Sequence, residues 1–272
     1  MAINKNTQNK TIKIRLYSDI HNEIRRYYMK KNYTPFEIPE LEDDLNTVLI
    51  LAGDIDHAKN IPNYLNSLSD RFLAIIHVAG NHEYYGSNLK SCNEKMKGYE
   101  FELNDNCYHL NNTSVTIRGQ KFIGCALWTD LSDPNIAWLA QRKMNDYSQI
   151  RDGYKNYGKI KPFHTTLLNK ESRQFIYNNC NNAVVITHHS PLSAGNSSLG
   201  GFNPYSYSAY NELDAAYYNN LEDFTSESSI KLWCYGHTHK VIDVMYFGTR
   251  IVTNAVGYMR EESEYKNEVI EI

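Results

Sequence analysis

An α/β architecture, with mixed β-sheets stacked on one another and flanked by helices, is predicted by three features of this 272-residue chain. Short apolar runs of strand length stop abruptly at Gly, Asp, Asn or His. Segments between them carry apolar residues three and four positions apart, the repeat of one helix face. Strands alternate with helices in the first half and then follow one another as hairpins, so parallel and antiparallel pairing are both expected.

Ile12 to Tyr17 runs into Ser18-Asp19-Ile20-His21, Val48 to Ala52 into Gly53-Asp54, and Ala74 to Ala79 into Gly80-Asn81-His82-Glu83. These read as parallel core strands. Helical spacing follows at Ile61 to Asp70 and Leu89 to Lys97. Cys107 to Leu110, Ser114 to Arg118 and Lys121 to Leu127 read as a meander with Arg118-Gly119-Gln120 as a tight turn. A helix is expected at Thr165 to Asn179. The strand Ala183 to Thr187 then leads to His188-His189-Ser190-Pro191, and after a helix at Ser208 to Asn219 the strand Lys231 to Tyr235 leads to Gly236-His237-Thr238-His239. Val241 to Phe247 and Thr249 to Asn254 form a hairpin around Gly248, and a last strand covers Glu268 to Ile272. Tyr147 to Lys161 and Ser193 to Ser208 read as irregular surface segments. With no internal repeat and no Gly/Pro-rich linker, one domain over residues 1–272 is expected, residues 1–10 being a flexible N-terminus.

A net charge of −3 and a pI near 6.4 offer no broad cationic surface for a polyphosphate backbone, which argues against long duplex DNA as the partner. Five scattered cysteines, Cys92, Cys107, Cys125, Cys180 and Cys234, show no paired thiolate spacing and suit a reducing cytoplasm. The polar N-terminus lacks the apolar run of a signal peptide, and no stretch approaches a membrane span. Asn112-Thr113-Ser114 reads as a turn rather than a used glycosylation acceptor.

Seven candidate metal ligands occur in order: Asp19, His21, Asp54, Asn81, His188, His237 and His239. Nearly all follow a strand, and ligands of open α/β sheets gather beyond the strands' carboxyl ends. Members of the pairs Asp19/His21 and His237/His239 are two apart, so in extended backbone both would face one cavity. Mixed oxygen and nitrogen donors suit two neighbouring divalent cations, with one carboxylate able to bridge them. Each motif alone is equally a strand-end turn or a hydrogen-bonded histidine. Their conjunction at successive strand ends is what points to metal.

The series Asp19-x-His21, Gly53-Asp54, Gly80-Asn81-His82-Glu83, His188 and Gly236-His237-x-His239 resembles the calcineurin-like metallophosphoesterase superfamily, over Ile12 to Tyr258. Leu127-Trp128-Thr129-Asp130, Met144-Asn145-Asp146-Tyr147 and Asn254-Ala255-Val256-Gly257-Tyr258 further resemble a bacterial and phage branch of small single-domain members. The resemblance implies a four-layer α/β/β/α sandwich of two mixed β-sheets flanked by helices. It implies one metal held by Asp19, His21, Asp54 and His239, and a second by Asp54, Asn81, His188 and His237, with Asp54 bridging. His189 is the alternative to His188. The implied chemistry is hydrolysis of a phosphomonoester or phosphodiester by in-line attack of a metal-bridging hydroxide, with His82 beside the second metal assisting the leaving oxygen. Manganese, iron or zinc would serve, and the partner would be a phosphorylated small molecule or nucleotide. A nuclease built on the same core, or a metal-binding scaffold without catalysis, are the alternatives. Oligomeric state has no signature.

Other residues carry weaker signals. Glu83 reads as a first-turn carboxylate or a neighbour's partner rather than a base. Asp56 and His57, on a solvent-facing loop, could line the pocket. His77, His109 and His164 read as core or surface histidines, and Trp128 and Asp130 as core or cleft wall. The basic, Tyr-containing run Arg25 to Lys31 is either an anion clamp or a solvated face. The cluster Tyr205, Tyr207, Tyr210, Tyr217 and Tyr218 could stack a base, in a chain rich in tyrosine throughout.

Overall fold

The structure, a computed structural model, describes residues 11–153, 158–192, 213, 216–261 and 264–272. Side-chain alternation sorts its strands into layers. Along β1 (Lys13–Tyr17), β2 (Thr47–Ala52) and β3 (Ala74–Val78), Ile14, Leu16, Val48, Ile50, Ile76 and Val78 enter one core, while Tyr17, Leu49, Leu51 and Ile75 enter another. With β4 (Cys107–His109) these strands are parallel in the order β1-β2-β3-β4.

The second sheet comprises β5 (Thr113–Ile117), β6 (Gln120–Cys125), β7 (Val184–Thr187), β8 (Leu232–Tyr235), β9 (Val241–Tyr246) and β10 (Thr249–Asn254), in the order β5-β6-β7-β8-β10-β9. Its β6, β7, β8 and β10 are parallel, and β5 and β9 are antiparallel edges. The short β11 (Ile270–Glu271) closes the first sheet antiparallel to β1, within the expected final strand. Phe122, Val184, Ile186, Leu232, Cys234 and Val252 face the first sheet across the central core. Ile123, Val185, Trp233, Tyr235 and Ile251 face outward.

Helices cover both outer faces. Of α1 (Asn22–Met29), α2 (Ile61–Leu68), α3 (Leu89–Lys97), α4 (Pro134–Lys143), α5 (Asp146–Gln149), α6 (Pro162–Asn179) and α7 (Glu222–Glu227), α2 and α3 bury Ile61, Leu65, Leu89 and Met96 against the first sheet. Ile176 of α6 packs on the second sheet. The result is the expected α/β/β/α sandwich.

Local chemistry explains where the chain departs from its pattern. The run at Cys107 pairs in parallel with β3 rather than starting a meander, because an apolar run of three residues carries no information about its neighbour. Only β5 and β6 form the hairpin, through Arg118 and Gly119 at φ of 49° and 87°. The strand β9 meets β10 through Phe247 and Gly248 at φ of 43° and 92°. Tyr147, Ile150 and Ile160 are buried, so Tyr147 to Lys161 is not purely a surface segment. The expected helix at Ser208 to Asn219, and Ser193 to Ser208, fall largely outside the described residues. No helix among the described residues is long and apolar enough to cross a membrane.

Arg15 is fully buried on β1. Its guanidinium donates to Asp44 Oδ1 at 2.6 Å, Tyr17 Oη at 2.9 Å and the Pro39 carbonyl at 2.7 Å, and Arg71 Nε reaches Asp44 Oδ2 at 2.7 Å. Burial alone would raise the Asp44 pKa, but the Arg15, Leu41 N–H and Arg71 donors hold it below the ordinary carboxylate range. Asp44→Ala leaves a buried cation unpaired and is expected to cost roughly 3–5 kcal/mol at pH 7 in urea unfolding. Because the folded pKa is depressed, this stabilisation is complete above the unfolded value of about 3.9 and is lost as pH falls through the folded one. The gap between variant and wild type is therefore expected to shrink on acidification; a constant gap would contradict the assignment.

Candidate metal centre

Level registers bring the strand ends together. Tyr17 lies beside Leu51, Ala52 beside Val78, and Ile186 beside Cys234. Ser18 joins the two sheets, donating to the Asn254 carbonyl at 3.3 Å and accepting from Val256 N–H at 2.9 Å. Asp19 N–H donates to the Gly53 carbonyl at 3.0 Å, and His21 N–H to that of Asp54 at 2.9 Å.

Five of the seven sequence-derived ligands sit in left-handed backbone: Asp19, His21, Asp54, His237 and His239, at φ of 53°, 52°, 56°, 68° and 50°. Such conformations are uncommon for residues other than glycine, though Asp and His are enriched there, and they concentrate at functional sites. This corrects the extended geometry expected for the paired motifs. The turn lets His237 and His239 separate, one into each of two ligand groups.

The first group is Asp19, His21 and His239. His21 Nδ1 lies 3.1 Å from Glu23 Oε1, and His239 Nδ1 lies 2.7 Å from Glu261 Oε2. Carboxylates only accept, so the hydrogen-bond network assigns the proton of each ring to Nδ1. The two Nε2 atoms are left facing each other at 3.0 Å, with Asp19 Oδ1 3.5 Å from His239 Nε2. Two inward-turned ring nitrogens beside a carboxylate are a donor set that fits a divalent metal.

The second group is Asp54, His188 and His237. His188 Nδ1 donates to the Ala52 carbonyl at 2.9 Å, which turns Nε2 toward Asn81 Oδ1 at 3.1 Å, His237 Nδ1 at 3.2 Å and Asp54 Oδ2 at 3.4 Å. Asn81 is oriented in turn: its Nδ2 donates to Asp146 Oδ1 at 2.8 Å and Tyr85 Oη at 3.1 Å, leaving Oδ1 for the cluster. His189 stands outside this group, its Nδ1 on the Ala126 carbonyl at 3.1 Å, and burial beside His188 lowers its pKa to about 3. Burial opposes charge on His188 as well, but Asp54 and Asp19 outweigh it and raise that pKa to about 10. A Cβ on Gly80 would strike the Asp54 carboxylate and the His188 ring, so only glycine lets this backbone pass so close.

His82 adjoins both groups. Its backbone N–H donates to Asp54 Oδ1 at 2.8 Å, its Nε2 lies 3.9 Å from Asp54 Oδ2, and its ring stacks on Tyr85 at 4.1 Å. Burial disfavours its charge, yet Asp54 and Glu23 raise its pKa to about 9. Glu83 is buried and accepts from the N–H groups of Asp54, Ile55 and Gly80 at 3.1, 2.9 and 2.7 Å, tying two ligand loops together. It is a neighbour's partner, as expected.

Other candidates lie elsewhere. Asp56 is buried and clamped by Arg26 at 2.6 Å, so it neither faces solvent nor leaves that arginine to hold an anion. Arg25 Nε donates to the Ile20 carbonyl at 3.0 Å. Trp128 is core. His77 and His109 pair at 2.9 Å behind Glu83. Tyr217 lies over the His237 ring, whereas Tyr205, Tyr207 and Tyr210 are outside the described residues. The sequence reading missed Glu23, which sits two places after His21 in what resembles an exposed basic helix, although the Asp-x-His-x-Glu alternation is its one signal.

A cleft of about 320 Å³ opens over both groups, walled by Tyr85, Met144, Asp146, Tyr217, Tyr258 and Glu261. A family model of the calcineurin-like phosphoesterases matches residues 12–241. The uncharacterized protein L509 of Acanthamoeba polyphaga mimivirus is 30% identical over a 244-residue alignment that covers 83% of this chain and 84% of that protein. The crystal structure of the phosphopantetheinyl hydrolase PptH from Mycobacterium tuberculosis has the same fold, with a TM-score of 0.66 at 17% identity over 95% of each chain. With the family pattern running through both sheets and the loops between them, the chain belongs to the calcineurin-like phosphoesterases, hydrolases of phosphoric esters.

Proposed function

We propose that this chain, as a single domain, is a dinuclear metal-dependent phosphoesterase that cleaves a phosphomonoester or phosphodiester of a small molecule or nucleotide. Asp19, His21, Asp54 and His239 would hold one cation and Asp54, Asn81, His188 and His237 the other. The supporting observation is the orientation of the rings. His21, His188 and His239 each give Nδ1 to an oxygen acceptor and turn Nε2 inward to a carboxylate or a second histidine. Adjacency of the Asp19, Asp54 and His237 loops supports the shared role of Asp54, since the His237 N–H donates to both Asp19 oxygens at 3.0 Å while its ring faces His188.

Divalent cations there would lower the pKa of a coordinated water and act as Lewis acids toward the phosphoryl oxygens. The protein's part is positioning. Asp146 fixes the Asn81 amide, Glu83 fixes the backbone on either side of the shared aspartate, and the cleft has the size of a small-molecule site. His82, hydrogen-bonded through Nδ1 to Glu23 at 2.9 Å, is placed to give a proton to the leaving oxygen. Five free, buried cysteines support a reducing, cytoplasmic setting.

Chelated protein reloaded with Mn2+, Fe2+ or Zn2+ is expected to hydrolyse nitrophenyl phosphate mono- or diesters, and chelation is expected to abolish turnover. A panel of phosphorylated small molecules and nucleotides on the same samples assigns substrate and metal. Metal-loaded protein inert toward every ester in the panel would favour a scaffold.

A further inference from the structure

Glu23, the second residue of α1, places one carboxylate oxygen against two rings at once. Its Oε1 lies 3.1 Å from His21 Nδ1 and 2.9 Å from His82 Nδ1, and the ring centroids are 4.4 Å apart in an edge-on arrangement. The side chain is 6% exposed, and its Oε2 is buried without a hydrogen-bond partner. Burying a carboxylate is costly unless its contacts hold it. Here those contacts are two histidines of different roles, and no cation of Lys or Arg is needed to account for the geometry.

We propose that Glu23 is a positioning residue that sets the ring orientation of both His21 and His82 by holding the Nδ1 side of each. With Nδ1–H of each ring held on Oε1, His21 must present Nε2 to His239, and His82 must present Nε2 toward Asp54. One carboxylate thereby links a ligand of the first cation to the group facing the leaving oxygen. This rests on the proposed metal centre for its functional consequence, but the ring geometry exists without metal. His21, Glu23 and His82 also form a compact group of potential ligands. Their N···O separations are hydrogen-bond lengths already closed by ring protons, so Glu23 acts as a partner of the rings rather than as a ligand.

The test compares wild type, Glu23→Gln and Glu23→Ala by ¹⁵N-edited NMR of the imidazole groups in the metal-free protein, followed by Mn2+ titration and kinetics. Downfield, slowly exchanging Nδ1–H signals from His21 and His82 are expected in wild type, should shift upfield together in Glu23→Gln, where a weaker neutral acceptor remains, and should be lost together in Glu23→Ala. Mn2+ affinity at the Asp19 group is expected to fall about 10–100-fold with the other site little changed, and kcat should fall more for poor leaving groups than for nitrophenyl esters, with KM little moved. If Glu23→Ala fails to fold, the near-isosteric Glu23→Gln carries the test. Unchanged Nδ1–H signals in a folded variant would overturn the proposal, as would equal weakening of both metal sites with intact signals. Failure of wild type to bind two cations would instead count against the dinuclear reading, leaving the NMR result to decide on Glu23.

Discussion

Asp54→Asn is expected to reduce phosphoester hydrolysis by at least roughly 10³-fold, about 4 kcal/mol in transition-state stabilisation, and to lower metal content in the same samples. Asp54 is buried, and its oxygens address both the His82 N–H and the His188 ring. Burial opposes its ionisation, but His188 and His82 hold its pKa well below the ordinary range, so the site contains a carboxylate. The amide removes the negative charge shared by the two proposed cations. It leaves the Glu83 bonds to the Asp54 and Ile55 N–H groups in place, so the fold should survive. Elemental analysis, steady-state kinetics and thermal unfolding on one preparation check all three points. Full metal loading with undiminished turnover would remove Asp54 from the shared position.

His82→Ala is expected to keep both cations and to slow esters of poor leaving groups by about 10²-fold or more, while activated nitrophenyl esters change far less. Its Nε2 lies beside Asp54, and His21, Tyr85, Tyr258 and Glu23 surround its ring, so deletion takes away the proposed proton donor while leaving every proposed ligand side chain in the chain. A plot of log kcat against leaving-group pKa should steepen in the variant. Parallel lines would mean that His82 steadies the phosphoryl group or the loop and is not the acid.

Much of this arrangement is legible in the sequence because the parallel core strands are largely apolar runs, and several of them stop where the chain needs a polar ligand. Val48 to Ala52 followed by Gly53-Asp54 shows both at once. Gly80 marks a place where backbone and ligands nearly touch. The signal fades where packing rather than local pattern decides. β4 is three residues long and takes its partner from the surrounding fold. α1 has few apolar positions, so its sequence resembles a solvated basic face even though Asn22 is buried and Arg25 and Arg26 are engaged internally. α4 announces itself only through Asp133-Pro134, an N-cap whose carboxylate accepts from the Asn135 and Ile136 N–H groups at 2.7 and 3.2 Å.

At the site, the order of candidate ligands can be read directly, but the groups that orient them cannot. Asp146 and Glu261 come from stretches distant from Asn81 and His239 and meet them only in the folded chain, while Glu23, two places after His21, is signalled by the Asp-x-His-x-Glu alternation alone. The left-handed turns at His237 and His239 are also invisible to an argument from extended spacing, and they send the two rings into different groups.

The most direct test is a crystal structure of protein reconstituted with Mn2+, with anomalous scattering recorded to locate the metal. Two anomalous peaks about 3.5–4 Å apart, with Asp54 contacting both, His21 and His239 on one and His188 and His237 on the other, is the expected result. A single peak, or two that share no aspartate, would contradict the dinuclear centre.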